Sequence, residues 1–247
     1  MASTTETGHA KNVANFNELV TRTKAMGTTY NPAKPEQQQA QLVKQLAEAQ
    51  LALTALAKAA ANFAGMVDKR EALYGPLPKL VTRALNMFRS SVSSKPETDT
   101  AQGLADLIRG FAAKTKPKGD EATAAGGVLN TKSISTSRQS YDSMYENFEK
   151  FIEVLAANPA YKPNETELSV TGLRGLLAEM KVSNDSADSI ETAYSDARGL
   201  RNKLLYSPGS GMVDTAMAVK QYIKGALKPD HAHYKPVSKL AFKRVNA

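Results

Sequence analysis

Between residues 42 and 67 the apolar side chains fall at Leu42, Leu46, Ala49, Leu53, Leu56, Ala60, Phe63 and Val67, in alternating steps of four and three. That spacing is the period of an α-helix carrying one apolar stripe. Kept strictly, it asks for a second helix alongside, packed as in a left-handed coiled coil. Pro35-Glu36 suits the opening of this helix, because proline is tolerated in a first turn. Leu73-Tyr74-Gly75-Pro76 marks its end. A helix from Glu36 to Tyr74 is about 58 Å long. A chain with such an element has to supply another long helix to cover it.

The second long helix comes from an internal repeat. Asn15-Phe16 recurs as Asn147-Phe148, Tyr30-Asn-Pro32 as Tyr161-Lys-Pro163, and Leu46-Ala47-Glu48 as Leu177-Ala178-Glu179. Leu73-Tyr74-Gly75-Pro76 recurs as Leu205-Tyr206-Ser207-Pro208, and Val81 as Val213. Each match is short, but all come in the same order at an offset of 131 or 132. A constant offset is what a duplicated structural unit leaves in a sequence.

Each copy reads as a short, a long and a medium helix. In the first, residues Lys11 to Met26 form a helix that stops at Gly27, a residue suited to the left-handed position beyond a helix end. Its medium helix starts around Pro76 to Pro78 and carries Leu77, Val81, Ala84, Leu85 and Phe88. In the second, Tyr141, Met144, Tyr145, Phe148, Ile152 and Leu155 mark the short helix. Leu173, Leu177, Met180, Ala187, Ile190, Tyr194, Ala197 and Leu204 mark the long one, interrupted by Ser183-Asn184-Asp185-Ser186, a kink or an exposed crossing point. Val213, Ala216, Met217, Val219, Ile223 and Leu227 mark the last. The domain reading is a disordered 1–10, repeat one at 11–95, a short helix and flexible linker at 96–138, repeat two at 139–227, and a basic tail at 228–247. The extra helix spans Thr98 to Ala113 with Leu104, Leu107, Ile108 and Phe111 as its stripe, and the composition from Lys114 to Ser137 is that of a linker. The fold class is all-α: two copies of a short-long-medium unit forming a pseudo-two-fold bundle with coiled-coil-like long helices.

Charge separates the parts. The net charge of +8 divides into +4 over residues 1–113, +3 over 114–138, −4 over 139–223 and +5 over 224–247. Helical halves of opposite sign favour contact between copies, and the basic linker and tail favour an anionic partner. The chain has no cysteine, which excludes disulfides, thiolate metal sites and cysteine nucleophiles. The first nine residues lack the basic and apolar regions of a signal peptide. The most apolar run, Ala47 to Val67, is broken by Glu48, Gln50, Thr54, Lys58 and Asn62, too polar for a spanning helix. The expected location is the cytoplasm.

Three stretches resemble a family of uncharacterised bacterial proteins of similar length. They are Gly8-His9-Ala10-Lys11-Asn12-Val13-Ala14-Asn15-Phe16, then Ser135-Thr136-Ser137 with Ser140-Tyr141-Asp142, and Tyr234-Lys235-Pro236-Val237-Ser238-Lys239-Leu240. The resemblance covers nearly the whole chain and implies the duplicated helical plan, with no known activity, ligand or catalytic residue.

Candidate chemistry is thin. His231-Ala-His233 could approach one metal but has no third ligand near it, and an incidental pair is the better reading. No Glu-x-x-His pair falls within the expected helices, which excludes a carboxylate-bridged di-metal bundle. Ser207-Pro-Gly-Ser-Gly211 before a helix resembles an anion-cradling turn, although it lacks the lysine of a phosphate loop and reads better as a helix-opening turn. Glu146, Glu149 and Glu153 form an acidic stripe without a partner base, and Ser140 and Tyr141 likewise have none in view. The tail interleaves Lys224, Lys228, Lys235, Lys239, Lys243 and Arg244 with Tyr234 and Phe242, a mixture suited to phosphate contact plus stacking. The competing reading, and the favoured one, is a solubilising tail or a strand-like strap whose Val237, Leu240 and Phe242 dock on the bundle.

The strong signals are packing signals. The sequence therefore reads as a non-enzymatic structural or protein-interaction protein, with no cofactor or metal implied, and with a protein partner or self-association expected. Nucleic-acid binding through the linker and tail is the alternative. A membrane-acting role through Ala47 to Val67 is the lesser one.

Overall fold

The computed structural model describes residues 4–91, 95–111 and 140–245. The expected linker at 114–138, including Ser135-Thr136-Ser137, lies outside the described residues. Among the described residues the chain is all helical, with eight α-helices and three short 3-10 turns and no strand. The helices are α1 (Thr4–Ala25), α2 (Gln39–Tyr74), α3 (Leu77–Ser91), α4 (Lys95–Arg109), α5 (Tyr141–Ala156), α6 (Val170–Tyr206), α7 (Met212–Ala226) and α8 (Tyr234–Lys239). They form two compact units, one of residues 1–64 and 189–247, the other of residues 65–188. Each of the long helices, α2 and α6, contributes one end to each unit.

The first unit combines α1, the start of α2, the end of α6, α7 and α8. α1 stops where expected, with Gly27 at φ 55°, a conformation that costs a side-chain-bearing residue energy. It begins ahead of Lys11, however. The segment expected to be a disordered leader contains His9, which is fully buried in α1. The apolar period simply continues backwards, so that His9, Asn12, Val13, Phe16, Leu19 and Val20 share one face. That face meets Leu42, Leu46 and Ala49 of α2, Leu205 of α6, and Met212, Ala216, Val219 and Ile223 of α7 in one apolar core. In this unit α2 and α6 run antiparallel. Gln45 donates to the Ser210 carbonyl at 2.9 Å just past the end of α6, and further along Phe63 stacks on Tyr194 at 5.2 Å.

The second unit combines the end of α2, α3, α4, α5 and the start of α6. Its core holds Leu77, Val81, Leu85 and Phe88 of α3, Ala101, Ala105 and Ile108 of α4, Phe148, Phe151, Ile152 and Leu155 of α5, and Leu173 and Met180 of α6. α4 ends at Arg109, earlier than expected, and Phe111 lies beyond it at 58% exposure instead of joining the stripe. Ser140 caps α5 by accepting the Ser143 N–H at 3.2 Å.

Two features of the long helices differ from their sequence patterns. The expected seam of α2 is buried at Leu42, Leu46, Ala49 and Leu56, half-buried at Leu53, Ala60 and Phe63, and lost at Val67, where Met66 is buried in its place. An α-helix turns about 20° away from a seven-residue repeat with each heptad, so a fixed stripe moves off its partner unless the helix supercoils. In α6, the polar stretch at 183–186 does not interrupt the helix and is not wholly exposed. The helix is continuous from Val170 to Tyr206, and Ser183 is buried. Asn184 Oδ1 accepts from Arg70 Nε and Nη2 at 3.3 and 3.1 Å and from the Tyr74 hydroxyl at 3.1 Å, while its Nδ2 donates to Asp142 at 3.2 Å.

The matched motifs make matched contacts. The Tyr30 hydroxyl donates to the carbonyl of Gln37 at 2.5 Å, and Tyr161 to that of Leu168 at 2.7 Å, each closing the loop seven residues ahead. Burial raises the pKa of both phenols above the ordinary value, with Tyr222 adding at Tyr30 and Glu165 adding at Tyr161, which is pushed up to about 12. At the ends of the long helices, Tyr74 packs against Tyr141 at 4.7 Å and Tyr206 against His9 at 5.4 Å.

Candidate functional site

The chain after α8 is a strap on the first unit. Val237 and Leu240 are buried and Phe242 is half-buried against the same core. α8 itself is a helix of six residues that tolerates Pro236 in its first turn. From Leu240 onward the strap is held through its backbone. Asn12 donates from Nδ2 to the Lys243 carbonyl at 2.7 Å and accepts the Lys243 N–H on Oδ1 at 3.1 Å, so one amide side chain pairs with one peptide unit in both directions. Asn15, one turn on, donates to the Ala241 carbonyl at 2.7 Å. The Lys220 ammonium donates to the Leu240 carbonyl and lies 5.9 Å from the Phe242 ring. Burial, with Lys224 adding, holds Lys220 below the usual lysine pKa.

Arg244 closes the strap. Its Nη2 reaches both Asp214 oxygens at 2.7 Å and its Nη1 donates to the Tyr206 carbonyl at 2.8 Å. Asp214 also accepts the Gly209 N–H at 2.8 Å; this bond first, with Arg244 adding, holds its carboxyl below the ordinary range. The anion site that Ser207–Gly211 resembled is thus filled from within the chain, by Asp214. Gly211 is required by close approach: a Cβ there would stand 2.6 Å from the Ser207 nitrogen.

These contacts place the candidate tail residues. Lys224, Lys228, Lys235, Lys239 and Lys243 have exposed side chains, although Lys243 is engaged through its backbone. Arg244 spends its guanidinium on Asp214, while Tyr234 and Phe242 are half-buried against the core. Behind the strap lies a polar cluster that the sequence reading missed. His9 is fully buried with Nδ1 2.6 Å from the Tyr206 hydroxyl, which also accepts from Asn12 at 3.2 Å. Elsewhere in the first unit Arg201, 1% exposed, donates from Nε and Nη2 to Asn202. The three- and four-residue spacing of His9, Asn12, Val13 and Phe16 was the signal that could have found it.

The other candidates have local roles. His231 and His233 rings lie 5.6 Å apart, with the His233 N–H 3.3 Å from the His231 ring nitrogen. Among the described residues no group of three or more His, Cys, Asp or Glu gathers as a metal site would require. Glu153 pairs with Arg174 at 2.8 Å and Glu146 approaches Lys150 at 3.9 Å. The Tyr141 ring lies beneath the Arg70 guanidinium at 4.5 Å.

One surface feature stands apart. In the first unit α2 buries Leu42, Leu46, Ala49, Ala52 and Leu56, and its opposite face carries exposed apolar residues beside the exposed Lys44 and Lys58. Leu51 is 70% exposed and Val43 48%, and Ala40, Ala47, Thr54 and Ala55 are exposed in the same angular sector. No helix among the described residues is long and apolar enough to cross a membrane. Comparison with protein-family models, curated proteins and solved structures finds no match to the chain.

Proposed function

We propose that this protein is a non-enzymatic helical interaction module, built from a duplicated short-long-medium unit, that binds a protein partner along α2. The observation that carries this reading is the apolar outer face of α2 around Val43 and Leu51. A helix with apolar residues on both faces is ordinarily covered on both, and contiguous exposed apolar surface marks a binding site more often than chance. The duplication belongs to the same reading. It is supported by the paired Tyr30 and Tyr161 loop closures, and by units that each join the short helix of one copy to the last helix of the other. The polar networks support it too, because they hold helices and strap together.

The test is affinity capture of the full chain from cells that produce it, with and without nuclease, beside the variant Val43→Glu/Leu51→Glu. A stoichiometric protein that survives nuclease and is lost with the double variant supports the module. Capture that vanishes with nuclease and is untouched by the variant supports instead nucleic-acid contact through the exposed lysines, and would overturn it.

A further inference from the structure

The groove that holds residues 240–245 grips its occupant as a peptide-binding site grips a ligand. We propose that this groove, between α1 and α7, receives an extended segment of another protein, which displaces the chain's own strap. The segment it takes carries an apolar residue, an aromatic one and an arginine at alternate positions. The site is separate from the outer face of α2 and stands without it. Three observations lead there.

The first is what the groove holds. Asn12 pairs with both backbone groups of Lys243, Asn15 donates to the Ala241 carbonyl, and the Lys220 ammonium donates to the Leu240 carbonyl. Every extended chain offers these main-chain groups, so they give affinity without choosing a sequence. The groups that read them stand on α1 and α7, outside the strap.

The second is where side chains are chosen. Leu240 is buried, Phe242 is half-buried beside the Lys220 ammonium, and Arg244 reaches both oxygens of Asp214. Ala241 and Lys243 between them are exposed. Every second side chain is read, which is the period of an extended chain. A ring beside a cation and a guanidinium on a carboxylate make the second and third positions selective.

The third is that the strap fills its place incompletely. The side chains of Arg244 and Asp214 remain 49% and 31% exposed. Beside Asp214 opens a cleft of about 580 Å³, bounded also by Lys34, Gln37, Ser210, Thr215 and Ala218, and by no described residue of the strap. In the second unit, by contrast, a whole helix covers α3 and α5: α4, with Ala101, Ala105 and Ile108 fully buried. A short, partly exposed segment opens at less cost than the unit it rests on. Straps exchanged between two copies restore the same contacts and gain none, whereas a foreign segment that also enters the cleft gains some.

The probe is a fluorescent peptide of residues 239–245, and the receptor is the full chain, read by anisotropy. In the parent the tethered strap competes at an effective concentration of about millimolar, so the peptide sees only the open fraction of grooves. Two full-chain variants loosen the strap: Phe242→Ala/Arg244→Ala removes two of its anchoring side chains, and Lys243→Pro removes the N–H that Asn12 accepts. Each binds the peptide at least about tenfold more tightly than the parent does. A peptide with Ala241→Ser and Lys243→Ser binds as well as the original, because those side chains are not read. A peptide with Arg244→Glu binds several-fold more weakly, and Asp214→Asn in the receptor removes most of that difference. The proposal is overturned if neither loosened chain, at the parent's helix content, binds the peptide at millimolar concentration. Equal binding by parent and variants, or by the arginine and glutamate peptides, overturns it as well. A loosened chain whose mass doubles in the absence of peptide gives the groove to a second copy's strap and overturns the assignment to another protein.

Discussion

Asn12→Ala isolates the grip of the first unit on its strap. Asn12 is 3% exposed and makes three hydrogen bonds, two to the backbone of Lys243 and one to the Tyr206 hydroxyl. A net hydrogen bond contributes about 0.5–1.5 kcal/mol, and a buried group left unsatisfied costs about 1–3 kcal/mol. Alanine leaves few such orphans. Lys243 is exposed, so its peptide groups gain water, and Tyr206 keeps its contact with His9. The loss is therefore close to the sum of modest net terms, about 2 kcal/mol, felt mainly as easier opening of the strap. Native-state hydrogen exchange reads this directly. Protection of the Lys243 amide falls by roughly thirtyfold, since about 1.4 kcal/mol is a factor of ten, while amides of the second-unit core at Phe148 and Ile152 keep theirs. Unchanged protection at Lys243 would refute the reasoning, because it would mean that apolar docking of Val237 and Leu240 alone fixes the strap. An equal loss at Phe148 would refute it in the other direction, by making the strap inseparable from global stability.

Phe148→Ala empties a fully buried position in the second unit's core and should cost about 3–5 kcal/mol in urea unfolding. Met217→Ala, on an exposed side chain, should stay within about 0.5 kcal/mol of the parent. Asp214→Asn should loosen the Arg244 closure by up to about 1 kcal/mol, as befits a pair at the surface. Because the carboxyl of Asp214 is held below its ordinary pKa, its contribution is complete above about pH 4 and is lost as pH falls through the lowered folded value; the acid limb of the parent's stability curve should flatten in this variant. The phenol of Tyr161 is raised to about 12, so its contribution is complete below about pH 10 and is lost as pH rises towards 12; Tyr161→Phe should remove that alkaline loss, read by thermal melts between those limits.

Local rules carried much of the helix plan. The stop at Gly27 and the apolar positions of α3 and α5 were legible because period and glycine act within a few residues, whereas α2 opens at Gln39, past a 3-10 turn at Pro35–Gln37, and Met217 of the α7 stripe is exposed. The docking of Val237 and Leu240 was only one of the readings that apolar spacing in a polar tail left open. The start of α1 was missed because Gly8 and His9 look like a leader until a neighbouring chain segment buries them.

Tertiary structure decided the rest. No local pattern says that Asn12 will pair with the backbone of Lys243, that Asn184 will gather Arg70, Tyr74 and Asp142, or that Asp214 will fill a turn that resembled an anion site. Those pairings join residues from about thirty to more than two hundred positions apart. They depend on which helix faces are brought together, and periodicity along one helix does not encode the identity of its neighbour. Nor did the seam of α2 settle where the stripe would lead. Its drift from Val67 to Met66 follows from helical geometry against a particular partner. What the sequence determined by itself is helical class and many of the inward-facing positions. What only the fold decided is which half of each long helix serves which core, and that Val43 and Leu51 on the outer side of α2 are exposed.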